Sequence, residues 1–161
     1  MLFASANSFS FSNEINFYIS DVSKTLNIDS CLLKAILIQE GGTNGEDTIH
    51  GDGSIDTGLG QIHKNGAWMK LLEDKFNITH KQLRDNPGVN IFGAGYALKT
   101  ELSRTNDVVL AVSAYRKGYG NRFSLTGLKY AKEVFKKYNK LTTTNACPND
   151  INVKNKRILH D

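Results

Sequence analysis

In LLKAILIQEGGTNGEDTIHGDGSIDTGLGQI, residues 32–62, an almost wholly apolar run closes on one glutamate, Glu40, and the glycines Gly41 and Gly42. A carboxyl group at the end of a buried helix has two reasons to keep its proton. Leaving water disfavours the anion, and the helix C-terminus presents partial negative charge to it. Both raise the pKa. A carboxylic acid still protonated near neutral pH can protonate the leaving oxygen of a glycosidic bond. On this helix alone, a Glu40 that simply turns out to solvent at a frayed end is the competing reading. In the loop that follows, Asp52, Ser54 and Asp56 alternate as in a calcium loop, but Thr57 stands where that loop needs glycine and His63 where it needs a terminal glutamate. The histidines His50, His63, His80 and His160 show no metal-ligand spacing and read as surface or loop residues. Neither metal nor cofactor is implied.

The elements that must position Glu40 follow from periodicity. SNEINFYISDVSKTLNI places Ile15, Tyr18, Ile19, Val22 and Leu26 at helical spacing. Asp29 is set to cap the next helix, from residue 30 to 39 or 40, which has almost no polar face apart from Lys34 and Gln39. Such a helix belongs in the middle of a fold, and Gly41-Gly42 stops it. Residues 43–56 form a polar, glycine-rich loop, and TGLGQI starts a compact turn or short helix. AWMKLLEDKF is helical, and ITHKQLRDNPGVN predicts a short helix followed by a turn at Pro87-Gly88. Residues 90–103 place Ile91, Ala94, Leu98 and Leu102 on one side of a helix. DVVLAVSAYRKG is another apolar helix, capped by Asn106 or Asp107 and stopped at Gly118. TGLKYAKEVFKKYNKL carries Leu128, Ala131, Val134 or Phe135, Tyr138 and Leu141 on one stripe. No strand is convincing outside residues 47–56, so the class is mainly α.

At 161 residues the chain is most simply one domain with a real core. It divides into a start, residues 1–11, a helical domain, residues 12–141, and a polar, irregular tail, residues 142–161. The start contains Ala4-Ser5-Ala6, the small-x-small form of a signal-peptidase site, without a basic n-region or a full apolar h-region. It is either a truncated signal stub or a plain disordered start. No apolar run approaches the roughly 18 residues of a membrane span, which argues against an integral membrane segment. The charge of +4 is modest. Its densest cluster, Lys132, Lys136 and Lys137, suits either an anionic surface or a solvated helix face. Nothing resembles a nucleic-acid motif. Cys31 and Cys147 could tie the tail to the first core helix, but the spacing alone leaves their state open.

Glu40 is followed in order by GLGQI (residues 58–62), NIFGAGYAL (90–98), AVSAYRKGYGN (111–121) and KYAKEV (129–134). This series resembles the lysozyme-like lytic transglycosylases, over about residues 28–138. That family's pattern is a helix ending in Glu-Ser, a Gly-Leu-x-Gln-Ile turn, an Asn-Ile-x-x-Gly helix, an Ala-Tyr-Asn-x-Gly motif and a Tyr-x-x-x-Val helix. Each motif alone is weak; five in sequence are strong. DTGLGQI is closest to specialised members that open the wall for secretion and conjugation machines.

The resemblance implies a single helical domain with a cleft, acting on peptidoglycan glycan strands in the periplasm or at the cell surface. Glu40 matches the single catalytic acid. Gln61, with Gly60 in the same turn, matches residues that line the cleft and contact sugar. Tyr115 matches a tyrosine whose hydroxyl lies close to the catalytic carboxyl. Asn90 and Gly95 match a supporting helix. Tyr130 is either a cleft-wall aromatic or core packing. The chain departs from the pattern twice. Gly41 stands where the family has Ser, removing a hydroxyl. Arg116 replaces Asn, and a cation near Glu40 would lower its pKa; alternatively Arg116 points outward or binds substrate carboxylates.

The implied reaction needs one carboxylate, with 1,6-anhydro ends as product. HGDGSIDTGLGQI also resembles the loop of goose-type lysozymes, in which an aspartate about a dozen residues after the glutamate positions water. Asp52 fits that place and Asp56 is a second candidate, each also readable as a loop carboxylate or turn former. The reading from another class is a degenerate binding or scaffold protein, favoured by Gly41 and Arg116 and opposed by the retained Glu40, Gln61 and Tyr115.

Overall fold

The computed structural model describes residues 10–148. The Ala4-Ser5-Ala6 motif and most of the tail, residues 149–161, lie outside the described residues.

Seven helices and a small sheet follow one another in the order α1 (Asn13–Leu26), α2 (Ser30–Glu40), β1 (Asp47–Ile49), β2 (Ile55–Thr57), β3 (Ile62–His63), α3 (Ala67–Phe76), α4 (His80–Asp85), α5 (Pro87–Thr105), α6 (Val108–Lys117) and α7 (Leu125–Thr143). Side-chain caps start most of the helices. Ser12 accepts from the Ile15 amide, Asp29 from Leu32, Asp107 from Leu110 and Ser124 from Gly127. Asn27, Gly41, Asn77 and Asn106 end helices in the left-handed region.

Helix α2 occupies the centre, packing chiefly on α7 and also on α1 and α5. Eight of its residues, from Ser30 to Leu37, are buried, Lys34 among them. The larger core gathers Ile19, Leu33, Ile36, Leu37, Ile91, Leu98, Val112 and Val134 from five helices. A smaller one, Ile62, Met69, Leu72 and Leu83, lies under the sheet side. The strands are antiparallel in the order β1-β2-β3, with Asp47 opposite Thr57 and Asp56 opposite His63.

Three expectations are corrected. Pro87-Gly88 is the first turn of α5 and not a separate turn, because Asn86 caps it (Val89 amide to Asn86 side chain). Proline at the first helical position gives up an amide that has no partner in any case. The compact turn expected of TGLGQI is present at residues 58–61, but it is followed by an unexpected strand, β3, whose two residues are too few to show any alternation. Helix α7 continues to Thr143, so the tail begins as helix.

The segment after α7 returns to α2. Cys147 forms a disulfide with Cys31, closing a loop across a sequence separation of 116 residues. From the same segment, the Ala146 carbonyl accepts a hydrogen bond from Lys34 Nζ (2.6 Å) and the Pro148 carbonyl one from Ser30 Oγ (3.4 Å). Burial pushes the Lys34 pKa down, and the carbonyl is the partner that makes its position tolerable. No helix among the described residues is long and apolar enough to cross a membrane.

Candidate active site

Glu40 is delivered by the last turn of α2, and glycines let the following chain close on it. Gly42 packs so tightly that a Cβ there would lie 1.9 Å from the Gly58 carbonyl oxygen. The turn at residues 58–61 is tight, with Gly58 and Gln61 both at positive φ (65° and 47°), and the Gln61 amide and side-chain nitrogen both donate to the Gly58 carbonyl. Asn90, buried on α5, pins it. Its Oδ1 accepts from the Gly60 amide (2.7 Å), and its Nδ2 donates to the Thr57 and Leu83 carbonyls (3.0 Å each). Gly60 sits where a Cβ would meet that of Ala94 at 2.8 Å, and Gly95 where one would meet Val22 at 2.8 Å. Asn90 and Gly95 therefore hold the turn and the helix pair in place.

The Glu40 side chain is 6% exposed. The Tyr130 hydroxyl, from α7, donates to its Oε1 at 2.5 Å. The guanidinium of Arg116, from α6, lies 3.5 Å from its Oε2. Arg116 thus turns toward Glu40 and opposes a raised pKa, yet burial outweighs it. Desolvation raises the Glu40 pKa; the Tyr130 hydrogen bond and the Arg116 charge lower it; Asp56 raises it again. The Tyr115 hydroxyl donates to the Gly60 carbonyl (3.1 Å) and is near enough to Glu40 to feel its charge, while Tyr130 is the tyrosine that hydrogen-bonds the carboxyl. Burial first, and then the Glu40 charge, raises the pKa of both tyrosines, so both remain hydroxyl donors.

One cleft is lined by Glu40, Gly60, Gln61, Tyr115 and Arg116 together with Asp56, Ile62, His63, Trp68 and Ala97. Most of the expected site residues are brought together there. Tyr130 is bound to Glu40, although it is not among the groups on the cleft surface. Gly41 has nothing within 4 Å of a Cβ position and a φ of +66°, so its evident work is stopping α2. Asp52 lies on an exposed turn, where its Oδ1 accepts from the Ser54 amide (2.9 Å), and hydrogen bonding to Ser54 lowers its pKa. That is the turn-former reading.

Asp56, by contrast, faces the cleft from β2, with His50 Nε2 at 2.8 Å from one oxygen and His63 Nδ1 at 3.0 Å from the other. Sequence reasoning left His50, His63 and Trp68 out of the site. Residue 63 directly follows the GLGQI turn, and Trp68 is the chain's one tryptophan; those were the available signals. Chemically, the arrangement offers a buried carboxyl whose pKa is raised by desolvation, two tyrosine hydroxyls near it, and a cleft of mixed polar and apolar lining.

The transglycosylase SLT domain model matches residues 17–138. The chain belongs to the transglycosylase SLT domain family, and its mainly helical fold is the lysozyme-like domain of that family. No curated protein matches the chain. The family's activity is lytic transglycosylation of peptidoglycan, a substrate that lies outside the cytoplasm.

Proposed function

We propose that this chain cleaves the β-1,4 bond between N-acetylmuramic acid and N-acetylglucosamine, leaving 1,6-anhydro-N-acetylmuramoyl ends, with Glu40 as acid and then base. The observation that carries this reading is one buried carboxyl at a cleft, its two oxygens addressed separately by Tyr130 and Arg116. Glu40 gives its proton to the bridging oxygen as the glycosidic bond breaks. The sugar's own N-acetyl oxygen assists at the anomeric carbon, as in substrate-assisted glycosidases. The carboxylate then takes the proton of the C6 hydroxyl, whose oxygen closes onto the anomeric carbon. That nucleophile is already tethered, so the step benefits from high effective molarity and needs no bound water. Gln61 and Gly60 contact sugar, and Arg116 meets a carboxylate of the lactyl or peptide moiety.

The catalytic unit is residues 12–141, acting in the periplasm or at the cell surface, and DTGLGQI supports a role in opening the wall for a secretion or conjugation apparatus. A second reading has one specific observation in its favour. Asp56 lines the same cleft as Glu40 and is held by two histidines, a second carboxylate that supports water activation by a hydrolase.

Purified peptidoglycan digested by the protein and by Glu40→Gln, with muropeptide ends identified by mass without reduction, separates these. Anhydro ends absent from the variant support the transglycosylase. Reducing ends, lost again in Asp56→Asn, would move the mechanism to hydrolysis. Absence of products from the wild-type protein would leave the binding or scaffold reading.

A further inference from the structure

Helix α7 turns the basic cluster of the sequence into an ordered row. At 3.6 residues per turn, Leu125, Lys129, Lys132, Lys136 and Lys140 fall on one face of this helix, and all of them are exposed. The opposite face carries Ala131, Val134 and Leu141, buried in the larger core. Lys137 leaves the row, because its Nζ donates to Gln39 Oε1 on α2 (2.7 Å). Lys136 stays in it with its charge offset by Glu133, whose Oε1 lies 2.6 Å from the Nζ. A helical rise of about 1.5 Å per residue spreads the four lysines over roughly 16 Å.

At the N-terminal end of the row the surface becomes apolar. Leu125 is 77% exposed and Phe123, just ahead of the helix, 62%. The Arg122 guanidinium lies over the Phe123 ring, 4.5 Å from its centroid. Exposed apolar side chains scattered singly are ordinary. Here Phe123 and Leu125 stand together and continue a row of cations. A bilayer containing anionic lipid offers a plane of negative charge to the lysines and an apolar layer beneath it for this pair. A wall polymer carrying carboxylates or phosphates matches the lysines alone and leaves both apolar side chains in water. The charge and the apolar pair together select the lipid. Because the apolar face of α7 is committed to the core, the helix lies on the headgroups and does not insert.

We propose that the exposed face of α7, with Phe123 and Leu125 at its head, is a docking surface for an anionic lipid bilayer. Lys129, Lys132, Lys136 and Lys140 meet headgroup phosphates, and Phe123 and Leu125 enter the interfacial layer. Tyr130, which reaches inward to Glu40, lies roughly a third of a turn round the helix from the middle of the row, and no residue of the row lines the cleft. Docking therefore leaves the cleft free, and it does not depend on which bond the cleft acts upon.

The test is co-sedimentation of the full chain with two kinds of vesicle, phosphatidylcholine alone and phosphatidylglycerol mixed one to three with phosphatidylcholine. Binding to the mixed vesicles only is expected, with release as salt rises. A lysine near an anionic surface is worth about fivefold in partitioning, so Lys129→Gln combined with Lys132→Gln lowers binding about twenty-fivefold. Phe123→Ser combined with Leu125→Ser lowers it about tenfold by removing the apolar contact. All four positions are on the surface, and thermal melting equal to that of the wild type checks that both double variants are folded. Equal binding to the two kinds of vesicle, or binding to neither, would overturn the proposal. Undiminished binding in the lysine variant would remove the face, and undiminished binding in the apolar variant would remove the bilayer as its occupant. Retention on purified peptidoglycan that the lysine variant loses, with no binding to mixed vesicles, would reassign the face to the wall and overturn the lipid assignment.

Discussion

Glu40 at the end of α2 and Glu101 near the end of α5 are both withdrawn from water, with side chains 6% and 1% exposed. Burial is the first cause of a raised pKa at each. Their surroundings differ. Glu101 takes an ion pair from Arg104, three residues on in the same helix (3.1 Å), and its Oε2 has no hydrogen-bond partner among the described residues. Glu40 takes its partners from two other helices, one per oxygen, and borders a cleft. A perturbed carboxyl is therefore not by itself a site. What distinguishes Glu40 is access, together with donors that fix the orientation of its carboxyl group.

The comparison can be broken most decisively at Glu40. Glu40→Gln should reduce wall cleavage about 10³-fold, measured as muropeptide release. Because its folded-state pKa is raised, the folded protein binds more protons than the unfolded chain above about pH 4.5. Stability therefore falls as pH rises through that window, and the penalty is complete above the folded-state pKa. The variant should melt no lower than the wild type at pH 7, and any advantage should close as pH falls toward the ordinary glutamate value. Cleavage near the wild-type rate would remove Glu40 from the chemistry.

Tyr130→Phe is the next largest change. It deletes a hydrogen bond to a charged group, worth about 1.5–3 kcal/mol, and turnover should fall about tenfold. The lost bond had held the Glu40 pKa down, so the basic limb of the pH–rate profile should move up. A limb that stays put would separate Tyr130 from the acid.

Arg116→Asn restores the amide of the family motif. The guanidinium is 47% exposed, so its effect is screened, and turnover should change no more than about fivefold. The basic limb should again move up, by less than in Tyr130→Phe. A shift in the opposite direction would mean that Arg116 acts on substrate and not on Glu40.

Glu101→Gln should change least, leaving turnover within about twofold. Thermal melting across pH should show a flatter loss of stability above pH 4.5, since the raised pKa of Glu101 carries the same sign. Lost cleavage with unchanged melting would make Glu101 part of the function and erase the contrast.

Much of this was legible beforehand because it is local. The apolar runs of α2 and α6, the caps Asp29 and Asp107, and the Gly41 stop are statements about neighbours in sequence. Pro87-Gly88 misled for the same reason. Proline and glycine together signal a turn, and only the capping bond of Asn86 makes them a helix start. Strand β3 left no trace, since two residues cannot display a period. That Cys31 meets Cys147 depends on where the chain goes after α7.

The sequence by itself determined the family, the helical class, the carboxyl at the end of a buried helix and the glycines that let a turn close over it. Tertiary structure decided which groups reach that carboxyl. Tyr130 and not Tyr115 hydrogen-bonds the carboxyl, Asp56 and not Asp52 faces the cleft, and His63 and Trp68 join the wall. One residue turns a helical side chain by about 100° and moves a strand side chain to the opposite face. Which side chains meet thus depends on how each helix is rotated and each strand registered against its neighbours, and packing across the whole core sets both.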